Sequence, residues 1–385
     1  MRLAILVALA CVACLSCDGT PADDDGPPPP LKDRLALLDR MERPHRMLVG
    51  LGNDLPGAEK NFDFTQAHVF GLPATLDLHY VYLSGVKGEA GWPDDEPDGG
   101  FVTTIATQAA KKGITPMFTL YQAAARGELR FDVFHDDDFM TKYWAGVRLL
   151  YEKLRAFDKP ALVHLEPDFW GFAQRSGGAA VLVKTKVAEC TDLPDDVTGL
   201  GRCLLRLART LAPKVLVGFH ASGFGALDRP KEVAKFLTTV GALESDFIVV
   251  DTLDRDAGCF EARTDPACRR TDGVVYWDPE NVHPPTFREH FDWVKTVHIR
   301  LGLPVLWWQT PLGVPSDAPG GTPKHYRDNR VRYFFDHPAD LEAAGGFGMA
   351  FGTGAPNQTD ATTDDGQFAA AVTKYYASPF ALTKP

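Results

Sequence analysis

The segment Ala161–Phe172, ALVHLEPDFWGF, passes from a short apolar run into a helical one through a Glu-Pro-Asp corner. The run begins directly after Asp158-Lys159-Pro160, a helix-closing signal, and Pro167 suits the first turn of the next helix. Working outward, the same strand–corner–helix unit recurs along the chain. The strand-like runs are Arg46–Asp54, Thr75–Leu83, Ile114–Tyr121, Ala161–Asp168, Lys214–Ser222, Phe247–Thr252, Pro304–Thr310 and Phe347–Thr353. Helical periods lie at Phe101–Lys112, Asp138–Phe157, Leu200–Leu211, Pro230–Val240, Pro285–Leu301, Tyr326–Ala344 and Gly366–Ala377. Strands regularly alternating with helices predict an α/β fold, a single (β/α)8 TIM-type barrel with enlarged loops. A doubly wound open sheet is the rival, but no Gly-x-Gly-x-x-Gly turn follows the first strand.

Helix-to-strand connections are short, whereas strand-to-helix segments such as 85–100, 122–137, 169–199, 253–284 and 311–325 are long. In a barrel the long segments emerge at the C-terminal face, where active sites are built. Candidate site residues cluster at those strand ends: Asp77 and His79, Tyr121 and Gln122, His164, Glu166, Asp168 and Trp170, His220, Asp251 and Asp254, then Trp307, Trp308 and Gln309. Trp92 and Trp277 also fall in or beside the long loops. Trp307 and Trp308 are neighbours in a strand, so one points into the barrel and the other into the helix layer. Asp136-Asp137-Asp138 reads as a helix N-terminus, and Arg327 and Arg330 read as a solvated helix face.

Glu166 and Asp168 are two residues apart, which in extended backbone puts them on one face. Paired carboxylates suit glycoside hydrolysis: one protonates the leaving oxygen, and another serves as base or nucleophile. Trp and Tyr side chains offer flat apolar faces that fit sugar rings. Leu165-Glu166-Pro167-Asp168 after a strand, followed by a strand ending in His220-Ala221-Ser222-Gly223, resembles the family 6 glycoside hydrolases, inverting cellobiohydrolases and endoglucanases. That resemblance implies Asp168 as the catalytic acid and Glu166 as its modulator; an inverting glycosidase would then need a base, for which Asp251 or Asp254 is the candidate. The family has Asp three residues before the equivalent of His220, where this chain has Val217. Gln309 stands where the family's Asp-Thr strand begins with Asp. Gln309 also leaves the strand-seven carboxylate of retaining barrel glycosidases without a counterpart.

Two other classes compete. Asp77, His79, His164, Glu166, His220 and Asp251 could converge as ligands of a divalent metal ion in a barrel hydrolase or isomerase. Alternatively, Val217 and Gln309 at carboxylate positions suit a glycan-binding protein without activity. The preferred reading requires carbohydrate as partner and no cofactor.

The 385 residues are 45% hydrophobic and 24% charged, a globular composition. A formal charge of −11, from 51 acidic and 40 basic residues, argues against nucleic acid as a partner. Residues 1–17, MRLAILVALACVACLSC, read as an export signal ending at Cys17, which would carry lipid and form the sole membrane attachment, with plain secretion as the alternative. The expected organisation is signal 1–17, an acidic and Pro-rich tether 18–32, and a barrel domain 33–385. Export to the bacterial envelope makes disulfides available to the remaining Cys190, Cys203, Cys259 and Cys268. Local pairing, Cys190–Cys203 and Cys259–Cys268, is favoured over the other two connectivities, and no Cys-x-x-Cys supports a zinc site.

Overall fold

The computed structural model describes residues 26–55, 66–128, 130–185, 187–223, 229–269 and 275–385. The expected signal segment 1–17, with Cys17, and residues 18–25 of the expected tether lie outside the described residues. Eight parallel strands close into a barrel, each paired with its neighbours in the chain and the last returning to the first. They are β1 (Leu48–Gly52), β2 (Leu78–Ser84), β3 (Thr115–Tyr121), β4 (Ala161–Leu165), β5 (Val215–His220), β6 (Phe247–Val250), β7 (Val305–Thr310) and β8 (Gly346–Gly352). All eight expected strands are present, and the barrel is the fold class the periodicity predicts. The strands are buried almost throughout, because a parallel barrel covers one face with helices and fills the other with its own side chains.

Helix α1 (Arg34–Arg40) precedes the barrel, and among the described residues ten more helices follow: α2 (Gly100–Lys111), α3 (Asp137–Phe157), α4 (Pro167–Arg175), α5 (Val197–Leu211), α6 (Pro230–Thr239), α7 (Ala257–Ala262), α8 (Phe287–Leu301), α9 (Arg330–Asp336), α10 (Pro338–Ala343) and α11 (Gln367–Ala377). Asp136 caps α3 as expected, accepting from the Asp138 amide at 2.9 Å. Four features depart from the sequence reading. Helix α1 was not expected; it sits at the N-terminal end of the barrel, where Arg34 bonds the carbonyls of Glu342 and Gly346. The expected helix Tyr326–Ala344 is interrupted: His325–Tyr326 forms a two-stranded ribbon with Gly321–Thr322, and a break at His337 precedes Pro338. Pro338 has no amide hydrogen, so it opens α10 instead of continuing α9. Between β1 and β2 the described residues hold a single 3₁₀ turn, His68–Gly71, in place of a full helix. Finally, Lys32 at the end of the tether is docked on the scaffold: its amide bonds Gly302 O at 2.7 Å and its ammonium the Leu243 and Ser245 carbonyls.

Both expected disulfides form, Cys190–Cys203 and Cys259–Cys268, with Cα–Cα separations of 5.8 and 5.6 Å. Among the described residues no helix is long and apolar enough to cross a membrane. Large rings fill the upper barrel because the facing strands supply glycine. A Cβ on Gly52 would lie 2.4 Å from the Tyr80 ring, and one on Gly352 would lie 2.1 Å from its hydroxyl. Both positions therefore exclude any side chain while Tyr80 occupies the interior.

Candidate active site

Strand alternation decides which residues reach the mouth. On β2, Tyr80 and Tyr82 face the interior, where both rings meet Trp308 from β7. His164 of β4 and His220 of β5 meet the same indole edge-on, at 4.7 and 5.7 Å between ring centroids. Trp308 is therefore the interior member of its pair. Trp307 points outward against Phe291 and Phe334, and its indole donates to His290. Tyr121, the last residue of β3, stands over this floor edge-on to Tyr82. Gln309 completes it, donating to the Tyr82 hydroxyl at 2.8 Å and to the Thr353 carbonyl at 3.1 Å.

Carboxylates ring the floor. Asp168, in the first turn of α4, has Oδ2 2.8 Å from the Tyr121 hydroxyl oxygen. The same hydroxyl is 2.8 Å from Oε1 of the exposed Glu128. Burial raises Asp168 to about 6, and nearby Glu128 and Asp254 push the same way, against the lowering effects of Tyr121 and Arg255. Asp251, at the end of β6, has Oδ2 4.0 Å from His220 Nε2. Asp254 follows one turn later and pairs with Arg255. Asp251, Asp254 and Arg255 are all half-buried. A cavity of about 950 Å³ opens beside the floor, bounded by Tyr82, Ser84 and Thr353 on the barrel side and by Asp94 and Asp95 on the outer side.

The segment carrying Asp251 and Asp254 is anchored from behind. Buried Asp256 accepts from the amides of Gly313 and Thr359, so one side chain ties the loops after β6, β7 and β8 together. Asp328 accepts from the Ala257 amide and pairs with Arg330. Arg330 is fully buried and lies over the Trp277 ring at 4.6 Å, neither on a solvated face nor at the mouth. Two barrel strands, β1 and β4, end directly before a non-glycine residue of positive φ, Asn53 and Glu166; Gln309 near the end of β7 and Leu253 in the loop after β6 share that conformation. Such conformations are costly outside glycine and often mark functional rims.

Other candidates lie elsewhere. Asp77 precedes β2 at the opposite end of the barrel, where Arg46, the Val49 amide and Tyr376 hold it. His79 is out of phase with Tyr80 and Tyr82 and turns to the outer layer, bonded to Asp54 at 2.8 Å. Gln122 is buried between the Trp92 indole and the Tyr143 carbonyl. Trp170 packs on Phe219 outside the barrel and donates to Leu165 O. Glu166 is fully buried, its oxygens accepting from the Gln122 and Ala123 amides. The shared face expected for Glu166 and Asp168 is lost because the strand ends at Leu165 and the chain turns left-handed at Glu166, φ 39°. Of the six candidate metal ligands, only His164, His220 and Asp251 come together. Among the described residues no group of three or more His, Cys, Asp or Glu is arranged to hold a metal.

Tyr82, Glu128 and Arg255 enter the site without having been singled out in the sequence. Tyr82 could have been found from the strict alternation Tyr80-x-Tyr82; Glu128 and Arg255 lie in loops with no periodic signal.

No family model and no curated protein matches the chain. Solved structures with a similar backbone include a β-mannanase from a symbiotic protist of the termite Reticulitermes speratus, at 10% identity and TM-score 0.49, covering 91% of each chain. A hyperthermophilic endo-β-1,4-glucanase matches at 12% identity and TM-score 0.48, over 89% of this chain and all of that one. A D-psicose 3-epimerase from Clostridium cellulolyticum H10 matches at 13% identity and TM-score 0.45, over 86% of this chain and 99% of the epimerase. These are likenesses of backbone alone, and the chemistry of this chain rests on its own residues.

Proposed function

We propose that this chain is an exported glycoside hydrolase that cleaves a poly- or oligosaccharide with inversion, Asp168 serving as general acid and Asp251 as base. The observation that carries the reading is a proton count. The Tyr121 hydroxyl has one hydrogen and lies 2.8 Å from both Asp168 and Glu128. Two such contacts need a second proton, which belongs on the carboxyl with the raised affinity. Asp168, raised to about 6, then donates to Tyr121 while Tyr121 donates to Glu128. Below about pH 6 Asp168 then holds a proton at the mouth, which is what a leaving glycosidic oxygen requires.

In the proposed reaction the Asp168 proton passes to that oxygen as its bond to the anomeric carbon breaks. Asp251 takes a proton from the water that attacks the opposite face. Strands β4 and β6 are separated by β5 alone, so their ends are roughly 10 Å apart at about 4.8 Å per strand. Side chains reaching toward each other from there fit the separation of about 6.5–9.5 Å used for inversion. Tyr82 and Tyr121 would receive the sugar rings, with Trp308 packed beneath Tyr82. The family 6 resemblance at Glu166-Pro167-Asp168 supports the same assignment of the acid. Export and anchoring at Cys17 are part of the proposal, supported by the apolar leader and by two disulfides that need an oxidising compartment.

Purified protein is screened against a polysaccharide panel with reducing-end detection, and product anomers are read by proton NMR. The expected result is hydrolysis with inversion, lost in Asp168→Asn. Full hydrolysis of every accepted glycan by that variant overturns the assignment of the acid. Tight oligosaccharide binding with no turnover makes the protein a glycan-binding one.

A further inference from the structure

Two histidines inside the barrel are left without a role by this reaction. His164 and His220 are at most 1% exposed, come from adjacent strands, and pack edge-on against Trp308. They touch through ring nitrogens, His164 Nε2 to His220 Nδ1 at 3.1 Å. The other nitrogen of His164 lies 3.4 Å from Thr119 Oγ1, and the other nitrogen of His220 faces Asp251 at 4.0 Å. The result is one line of polar atoms, Thr119, His164, His220, Asp251, across three strands and the loop after a fourth.

We propose that this line is a one-way hydrogen-bond chain that aims Asp251, with His220 as the positioning residue for the base. It rests on the reading of Asp251 given above. Direction follows from the two ends. A threonine hydroxyl can donate or accept, but an ionised carboxylate only accepts. His220 must then carry its hydrogen on Nε2 toward Asp251, leaving Nδ1 to accept. His164 donates from Nε2 and accepts on Nδ1 from the Thr119 hydroxyl. Every link is satisfied with both rings neutral, which agrees with burial lowering the proton affinity of each; His164 is lowered further by His220, and His220 falls to about 3. The opposite tautomers would set a ring lone pair against the carboxylate. At 4.0 Å the last link is longer than a hydrogen bond, a common state of catalytic contacts before substrate arrives. No proton needs to travel along the chain: Asp251 receives its proton from water, and the His220 hydrogen holds one carboxylate oxygen so that the other meets the water. The carboxylate facing the line is Asp251 itself, and Asp168, Asp254 and Arg255 act on one another at the same mouth.

The first test needs no substrate. Nitrogen-15 NMR of the intact chain is expected to show both rings neutral with hydrogen on Nε2. Hydrogen on Nδ1 of either ring, or a charged ring at neutral pH, overturns the chain. The second test compares His220→Gln, which keeps a donor near the same place, with His220→Phe, which keeps the ring shape without one. His220→Phe is expected to lower kcat about tenfold to a hundredfold with KM within about twofold, and His220→Gln to recover most of it. Equal kcat in wild type and His220→Phe overturns the positioning role. If wild type has no hydrolytic activity, the hydrolase reading fails while the NMR result still stands.

Discussion

The Asp168 carboxyl and the Tyr121 hydroxyl are 2.8 Å apart, and the hydroxyl has a second carboxylate, Glu128, at the same distance. Glu128 therefore competes for the single Tyr121 hydrogen and adds negative charge near Asp168. Glu128→Gln is expected to lower the proton affinity of Asp168 from about 6 on both counts. The alkaline limb of the kcat/KM profile should move down by up to about one pH unit, since one unit reflects only about 1.4 kcal/mol. Asp168→Asn should remove the limb altogether and cost about 10²–10⁴ in rate. An unmoved limb in Glu128→Gln would mean that Tyr121 does not share its hydrogen in this way.

Glu166 and Asp256 make stability fall as the solution becomes alkaline. Burial raises each to about 8, Asp256 with a further push from Asp328. An acid raised on folding holds its proton when the unfolded chain has released it. Between about pH 4.5 and 8 the folded state therefore binds more protons, and stability declines with rising pH through that window. The half-buried carboxylates Glu89 and Glu189, lowered to about 2 by Arg126 and Arg148, act oppositely, and their contribution is lost as pH falls below about 4. Denaturant melts should show a maximum near pH 5 and a decline toward pH 9. Glu166→Gln should flatten part of that decline while costing about 1–3 kcal/mol, because one of the two backbone amides loses its acceptor.

Gly52→Ala should destabilise the barrel by about 1–3 kcal/mol or more, the usual range for forcing an extra group into a packed core. The new Cβ would fall 2.4 Å from the Tyr80 ring, which is wedged against Trp308. Gly71→Ala, with open space around the position, is the control and should leave the melting midpoint unchanged to within about 0.5 kcal/mol.

Gln309→Glu should not create a retaining glycosidase. The Gln309 amide donates to the Thr353 carbonyl and the Tyr82 hydroxyl. A carboxylate there keeps the tyrosine but faces the carbonyl oxygen with no hydrogen between them. The expected outcome is weaker activity with product stereochemistry still inverted, read by NMR of the anomers. Retained stereochemistry would make β7 a true nucleophile position.

Eight strands, six of the seven helical stretches and two local disulfide pairings were legible in the chain because each is a local matter of period, punctuation and loop length. Phase was harder. In the expected strand Thr75–Leu83 the polar set Asp77, His79 and the aromatic set Tyr80, Tyr82 alternate, so one set had to face the interior. The sequence alone favoured the polar set on chemical grounds, but barrel closure against Gly52, Gly352 and Trp308 turned the aromatic set inward. Trp170 and Trp307 likewise became helix-layer core.

What the sequence by itself determined was the repeating architecture and the clustering of carboxylates after β4 and β6. These follow from hydrophobic period and composition, which need no knowledge of distant neighbours. Only the tertiary structure decided that Glu166 and Asp168 part company, one buried under two backbone amides and the other at the mouth beside Tyr121. Two residues of separation meant a shared face only if the strand continued. The left-handed turn at Glu166 ended it, and that turn is held by contacts from β3, more than forty residues away.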